Sequence, residues 1–142
     1  MTLEILLFLG VIFNVAAALV SRGLKVHATG VDSLPAVPII AGVAYGPAEG
    51  ALAGLVVSIA YYIAQPGGIS YAPITVVMNI LVGFLAHFLA FAGIFGAGIA
   101  LLVLYHVVSG IVISLFGGFG ARYFAFVILN FLTTVVLLLL AS

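Results

Sequence analysis

Along this chain the hydrophobic residues come in long runs, broken at a few positions where glycine, proline and charged residues gather. The first run is Leu3 to Val20. It opens on Met1-Thr2-Leu3-Glu4, which is acidic where a secretory signal is positive, so despite Ala16-Ala17-Ala18 it reads as a retained helix. The stretch Ser21 to Ser33 is polar and holds Arg22, Lys25, His27 and Asp32. Pro35 and Pro38 open a second, short apolar helix that ends near Tyr45-Gly46-Pro47, where proline disfavours a helical residue before it. A third helix runs from Ala48 to Ala64, and Gln65-Pro66-Gly67-Gly68 is a strong loop signal. The fourth begins near Pro73, a position proline favours at helix starts, and continues to Ala92. Glycines 93, 96 and 98 predict a turn, a fifth helix runs to Phe116, and Gly117-Gly118-Phe119-Gly120 breaks the chain again. Ala121 to Ala141 makes the last span.

The pattern predicts an all-α, polytopic integral membrane helix bundle, one transmembrane domain over residues 1–142, with six transmembrane helices and the second one short. Five spans result instead if residues 35 to 64 form one kinked helix. With six, both termini share a side with Glu4 and Glu49, and the opposite face collects Arg22, Lys25, His27, Asp32, Gln65 and Arg122. The positive-inside rule would make that polar face cytoplasmic.

Composition narrows the function classes. The chain has 142 residues, 67% hydrophobic and 4% charged, where a soluble domain is about 45–50% apolar and about 25% charged. A mean hydropathy of +1.55 says the same. Wound entirely as helix, the chain would measure roughly 210 Å, against about 30 Å per crossing, so about seven crossings is the ceiling. Nucleic-acid binding is excluded for want of a basic surface. Cysteine is absent, which removes disulfides and thiolate chemistry, and the three carboxylates lie far apart in sequence. The expectation is therefore not an enzyme, with no cofactor. Few Asn and Gln and no Cys suit a thermophilic source.

Gly42, Gly46, Gly50, Gly54 and Ser58 recur every fourth residue, the spacing that lets helices approach closely in lipid. Pro47 divides the row, so Gly46 belongs with the second helix and Gly50, Gly54 and Ser58 with the third. Internal packing or docking on another membrane subunit would both use such a row. On helix 1, Gly10, Asn14, Ala18 and Arg22 form a similar stripe, and Ala17 with Ser21 another small pair.

Helix 4 carries a polar stripe, Tyr71, Thr75, Asn79, Gly83 and His87, also at intervals of four. Helix 6 has Arg122, Asn130 and Thr134, helix 5 has Tyr105, His106 and Ser109, and helix 3 ends with Tyr61 and Tyr62. Polar groups in a membrane are costly and face a bundle interior or a cavity, so this set is expected to line a pocket on the loop-rich face. Taken one by one, they could equally be ordinary interhelical hydrogen bonds. His27, His87 and His106 lack metal-ligand spacing, so no metal is expected; a haem would need His87 and His106 to meet across adjacent helices.

The segment Pro38-Ile-Ile-Ala-Gly-Val-Ala-Tyr-Gly-Pro-Ala-Glu-Gly-Ala-Leu-Ala-Gly54 resembles the helix 2–3 region of the substrate-binding S components of energy-coupling factor (ECF) vitamin transporters. Tyr71-Ala-Pro-Ile-Thr-Val-Val-Met-Asn79, with Gly83 downstream, looks like the start of that family's fourth helix. The likeness covers residues 35 to 90. It implies six helices and a small mobile protein that binds a water-soluble vitamin beneath its extracellular loops. It also implies docking through helix 1 on a transmembrane coupling subunit driven by two cytoplasmic ATPases. Carried onto this chain, it makes Arg22, His27, Asp32, Tyr71, Asn79 and Arg122 substrate-binding candidates, with Thr75 on the same stripe. It makes Ala17, Ala18 and Ser21 docking candidates. The family's topology puts the polar face outside; basic residues recruited to hold an anionic ligand would reconcile that with the positive-inside rule. The histidine-rich start of the nickel and cobalt members is missing, so a metal-ion substrate is not expected.

The leading expectation is thus a solute-binding component of an ECF-type importer, a multi-pass protein of a prokaryotic cell membrane. An accessory subunit of a larger respiratory or ion-translocating complex is the alternative, and a haem- or quinone-associated subunit the third.

Overall fold

The computed structural model describes residues 1–23, 30–65, 72–116 and 120–142, the side chain of Arg122 excepted. Its helices are α1 (Leu3–Gly23), α2 (Ala36–Tyr45), α3 (Pro47–Ala64), α4 (Ala72–Ala86), α5 (Gly93–Leu115) and α6 (Ala121–Ala141), with a 3-10 stretch His87–Ala92 joining α4 to α5. No strand occurs among the described residues.

Counted as uninterrupted helical runs among the described residues, there are five rather than six, because residues 72–115 remain helical throughout. Straight, that 44-residue run would reach about 66 Å, twice a bilayer core. It does not stay straight: the 3-10 stretch and Gly93, at φ +72°, turn the chain so that α5 packs back along α4. The glycine turn expected at 93, 96 and 98 is therefore a tightened helical corner at Gly93. Gly96 and Gly98 lie inside α5, where Gly98 makes room for Leu138 of α6. Nor is 35–64 one kinked helix. Gly46, at φ +132°, separates α2 from α3, which fold against each other.

Four runs are long and apolar enough to cross a membrane: Leu3–Gly23, Pro47–Ala64, Ala72–Leu115 and Tyr123–Ala141. At 10 residues, α2 rises only about 15 Å and cannot cross alone. It is instead the axis of the bundle. Residues Ala36 to Gly42 are buried all round, as expected of a helix apolar on every face. Each of α1, α3, α4, α5 and α6 touches it. Around it the order is α1, α3, α4, α5, α6; within the described residues α1 and α6 do not pack on each other, and α2 stands between them.

Glycine sets the closest approaches. A methyl on Gly42 (α2) or on Gly50 (α3) would collide with the Gly83 carbonyl of α4, and one on Gly83 with the Gly50 carbonyl. Three helices thus meet at three residues without side chains. One turn along, Gly54 lies against the backbone of Asn79. The polarity is that of a protein solvated by hydrocarbon: Phe91, Phe116 and Leu140 are exposed while Asn14, Asp32, Asn79, Asn130 and Thr134 are fully buried.

Candidate functional site

The half-length of α2 creates the site. Its C-terminal end lies beside the start of α1, where the Tyr45 hydroxyl donates to the Met1 carbonyl. Its N-terminal end stops at the middle of α1. There the Ser33 backbone N–H donates to Asn14 Oδ1 (2.7 Å), and the Ser33 hydroxyl is placed to donate to Asn14 Oδ1 (3.0 Å) or to the Gly10 carbonyl (3.3 Å). Asn14 lies nine residues before Gly23, so residues 32–35 sit about 13 Å along the α1 axis from that helix's end. The chain has therefore turned back into the bundle before α2 begins. Gly30 marks the entry. Its φ of +72° and the closeness of the Phe126 carbonyl and the Asn130 N–H of α6 leave no room for a side chain.

Asp32 is fully buried at this point. Its Oδ1 accepts from the Leu34 N–H (3.1 Å), an Asx turn that starts the approach to α2, and from Asn130 Nδ2 (2.9 Å). Its Oδ2 has no partner among the described residues, and neither has Asn130 Oδ1. Burial pushes the carboxyl up to about 6, and the two hydrogen bonds pull in the other direction. The charge of Asp32 reaches the hydroxyls of Tyr61 and Tyr62 on α3 and of Tyr105 on α5. Thr75 of α4 lies beside the Tyr62 and Tyr105 hydroxyls. Tyr61 and Tyr62 meet edge to face at 5.2 Å, as do Tyr105 and His106. His106 is beside Asn130 and 6.3 Å from the Phe131 ring, with both ring nitrogens unpartnered among the described residues. Beyond the end of α2, the inner faces of α3, α4, α5 and α6 thus supply phenols, a hydroxyl, an imidazole and an amide around one carboxylate.

Of the residues picked from the sequence, Asp32 and Thr75 belong to this cluster. Asn79 does not. It is buried on α4 with its Nδ2 donating to Ser58 Oγ (3.0 Å), so it is spent tying α4 to α3 beneath the cluster. Arg22 is exposed, and its guanidinium donates to the carbonyl of Ala64, the last residue of α3 (3.2 Å), where a cation meets the negative helix end. His27, Tyr71 and the Arg122 side chain lie outside the described residues.

The small-residue positions divide likewise. Gly50, Gly54 and Ser58 face α4 as internal packing, whereas Gly46 is the break before α3 and packs no helix. The docking residues read from helix 1 turn inward: Ala18 and Ser21 are buried with Leu6, Gly10 and Asn14, and only Ala17 is half-exposed. Their smallness serves the contact of α1 with α2 and α3. His87 is exposed in the 3-10 stretch that precedes α5. His106 is buried 13 residues beyond Gly93, about 20 Å along α5, so the two do not pair across helices as a haem would require.

Sequence reasoning missed Ser33 and the inward return of the chain. The signal was present in Asp32-Ser33-Leu34-Pro35, a capping-type residue and a proline just before an apolar run. Among the described residues no group of three or more His, Cys, Asp or Glu could hold a metal ion. Compared with protein-family models, curated proteins and solved structures, the chain matches none.

Proposed function

We propose that this protein is a membrane-embedded solute-binding component, taking a small water-soluble metabolite of the vitamin type into the bundle at the inner end of α2. The observation that carries this reading is Asp32: a fully buried carboxylate with one oxygen unpartnered among the described residues, at the inner end of a half-length helix. Polar groups at that depth are expensive, and a purely structural tie would not leave an acceptor open.

In this reading the protein sits in a prokaryotic cell membrane and hands its solute to an ECF-type transmembrane coupling subunit powered by two ATPases. The inward-turned face of α1 moves the docking surface away from Ala18 and Ser21, so the coupling subunit would meet the outer, apolar side of α1, which includes Phe8, Ile12 and Leu19.

The test is thermal stability of the detergent-purified chain against a panel of water-soluble vitamins and related metabolites at micromolar concentration. A rise in melting temperature with one member, and co-purification with a coupling subunit and ATPases, is the expected result. If no solute stabilises the chain and it is recovered only inside a fixed respiratory or ion-translocating complex, the transport reading is wrong.

A further inference from the structure

Among the described residues, two of the groups left open at Asp32 are acceptors, while the open groups that can donate, Asn14 Nδ2 and the His106 ring, lie beside its neighbours Ser33 and Asn130. Asp32 Oδ2 can only accept while ionised, and Asn130 Oδ1 is an amide oxygen that can only accept, one N–H of the same amide donating to Asp32 Oδ1. That assignment of the Asn130 amide is forced, since the reverse would set its oxygen against the carboxylate. The hydroxyls of Tyr61, Tyr62 and Tyr105 lie within reach of the Asp32 charge; they can accept or donate hydrogen bonds, and aromatic rings of this kind attract cations. Among the described residues no cation is placed against Asp32; its neighbours are the Leu34 N–H and the Asn130 amide. Arg22 is held at the end of α3. An anion would meet a like charge here, and a neutral apolar group would leave the carboxylate buried without compensation, which is strongly unfavourable.

Resting on the solute-binding reading, we infer that the solute carries a positively charged nitrogen, seated between Asp32 Oδ2 and Asn130 Oδ1 with the Tyr61, Tyr62 and Tyr105 hydroxyls in reach. The ligand class is an organic ammonium or a protonated or quaternised nitrogen heterocycle. A bare metal ion is not the fit, because the described surroundings offer phenols and one amide oxygen rather than a second carboxylate or a histidine cluster.

The experiment compares charge classes on the full chain in detergent at pH 7.5. The probes are thiamine, pyridoxamine and choline as cations, pyridoxine and nicotinamide as neutrals, biotin, pantothenate and nicotinate as anions, and sodium chloride at matched ionic strength. The expected result is stabilisation by at least one cation and by no member of the other classes. Asp32→Asn, which keeps both acceptor contacts through its amide oxygen, should weaken that cation at least about tenfold. Tyr62→Leu, at a half-buried position, should weaken it as well while the ligand-free melting temperature stays close to that of the unsubstituted chain. Stabilisation led by an anion, a neutral solute or sodium overturns the cation assignment and leaves the solute-binding reading standing. Equal cation affinity in Asp32→Asn also overturns it. No stabilisation by any class removes the solute-binding reading itself.

Discussion

The Asn130 amide donates to the Asp32 carboxylate at 2.9 Å across 98 positions of sequence, joining the last helix to the segment that precedes the second. Together with the Leu34 N–H it holds one carboxylate oxygen and leaves the other open. Asn130→Leu removes a buried hydrogen bond to a charged group, and such bonds contribute about 1.5–3 kcal/mol. The expected outcome is a loss of that order in a detergent or mixed-micelle unfolding titration at pH 7.5. An unchanged midpoint would mean that the two side chains do not meet in the membrane.

Burial raises Asp32 to about 6 from 3.8. The folded state therefore holds its proton more tightly than the unfolded chain does. The stability that this proton confers is fully present below about 4, is lost as pH rises from about 4 to about 6, and changes no further above that. The ligand-free protein should melt at a higher temperature at pH 4.5 than at pH 7.5. Asp32→Asn should flatten that difference and be at least as stable as the parent at pH 7.5. Parallel melting curves for the two proteins across this window would show that Asp32 does not titrate there.

The contact of Gly42, Gly50 and Gly83 permits one further substitution test. Gly83→Ala forces a methyl against the Gly50 carbonyl, where backbone rather than a flexible side chain must move. Overpacking of this kind costs about 1–3 kcal/mol. Gly23→Ala, which meets nothing within 4 Å, is the control and should be neutral. Equal melting temperatures for the two variants would contradict the close approach of α3 and α4.

Asn79 and Ser58 make a separable pair. Interhelical hydrogen bonds in membranes average about 0.6 kcal/mol, so Ser58→Ala and Asn79→Ala should couple by about that much in a double-mutant cycle. Neither should alter solute affinity, because the bond lies below the Asp32 cluster. A binding defect in Asn79→Ala with unchanged stability would return this residue to the site.

Much of the helix plan is legible in the sequence because its signals are local. The apolar runs, the proline starts and the row of Gly50, Gly54 and Ser58 each act within a few residues, and the structure uses them as spacing alone implies. Three features are not local. The run through Ala92 and Gly93 is helical on both sides, so hydropathy cannot tell a corner from a continuous helix. Asn79 lies on the same stripe as Thr75, yet the neighbour that each side chain meets depends on how α3 and α4 are rotated. The depth of this segment is set by Asn14, which holds Ser33 from 19 residues upstream, and by Asn130, which holds Asp32 from 98 downstream. Nothing in the segment itself tells a loop above the membrane from one that returns inside it.

The shortness of α2 bears on how the protein is made. Ten residues cannot hold a bilayer-spanning position on their own, and the segment before them carries a carboxylate. During synthesis α2 must therefore wait at the surface, or in the insertion machinery, until α3 and α4 present Gly50 and Gly83 to receive it. Asp32 waits longer still, for Asn130, and that residue emerges only when the chain is nearly finished. The last helix thus supplies the second donor to Asp32 at the end of synthesis, and a chain truncated before α6 holds that carboxylate by the Leu34 N–H alone.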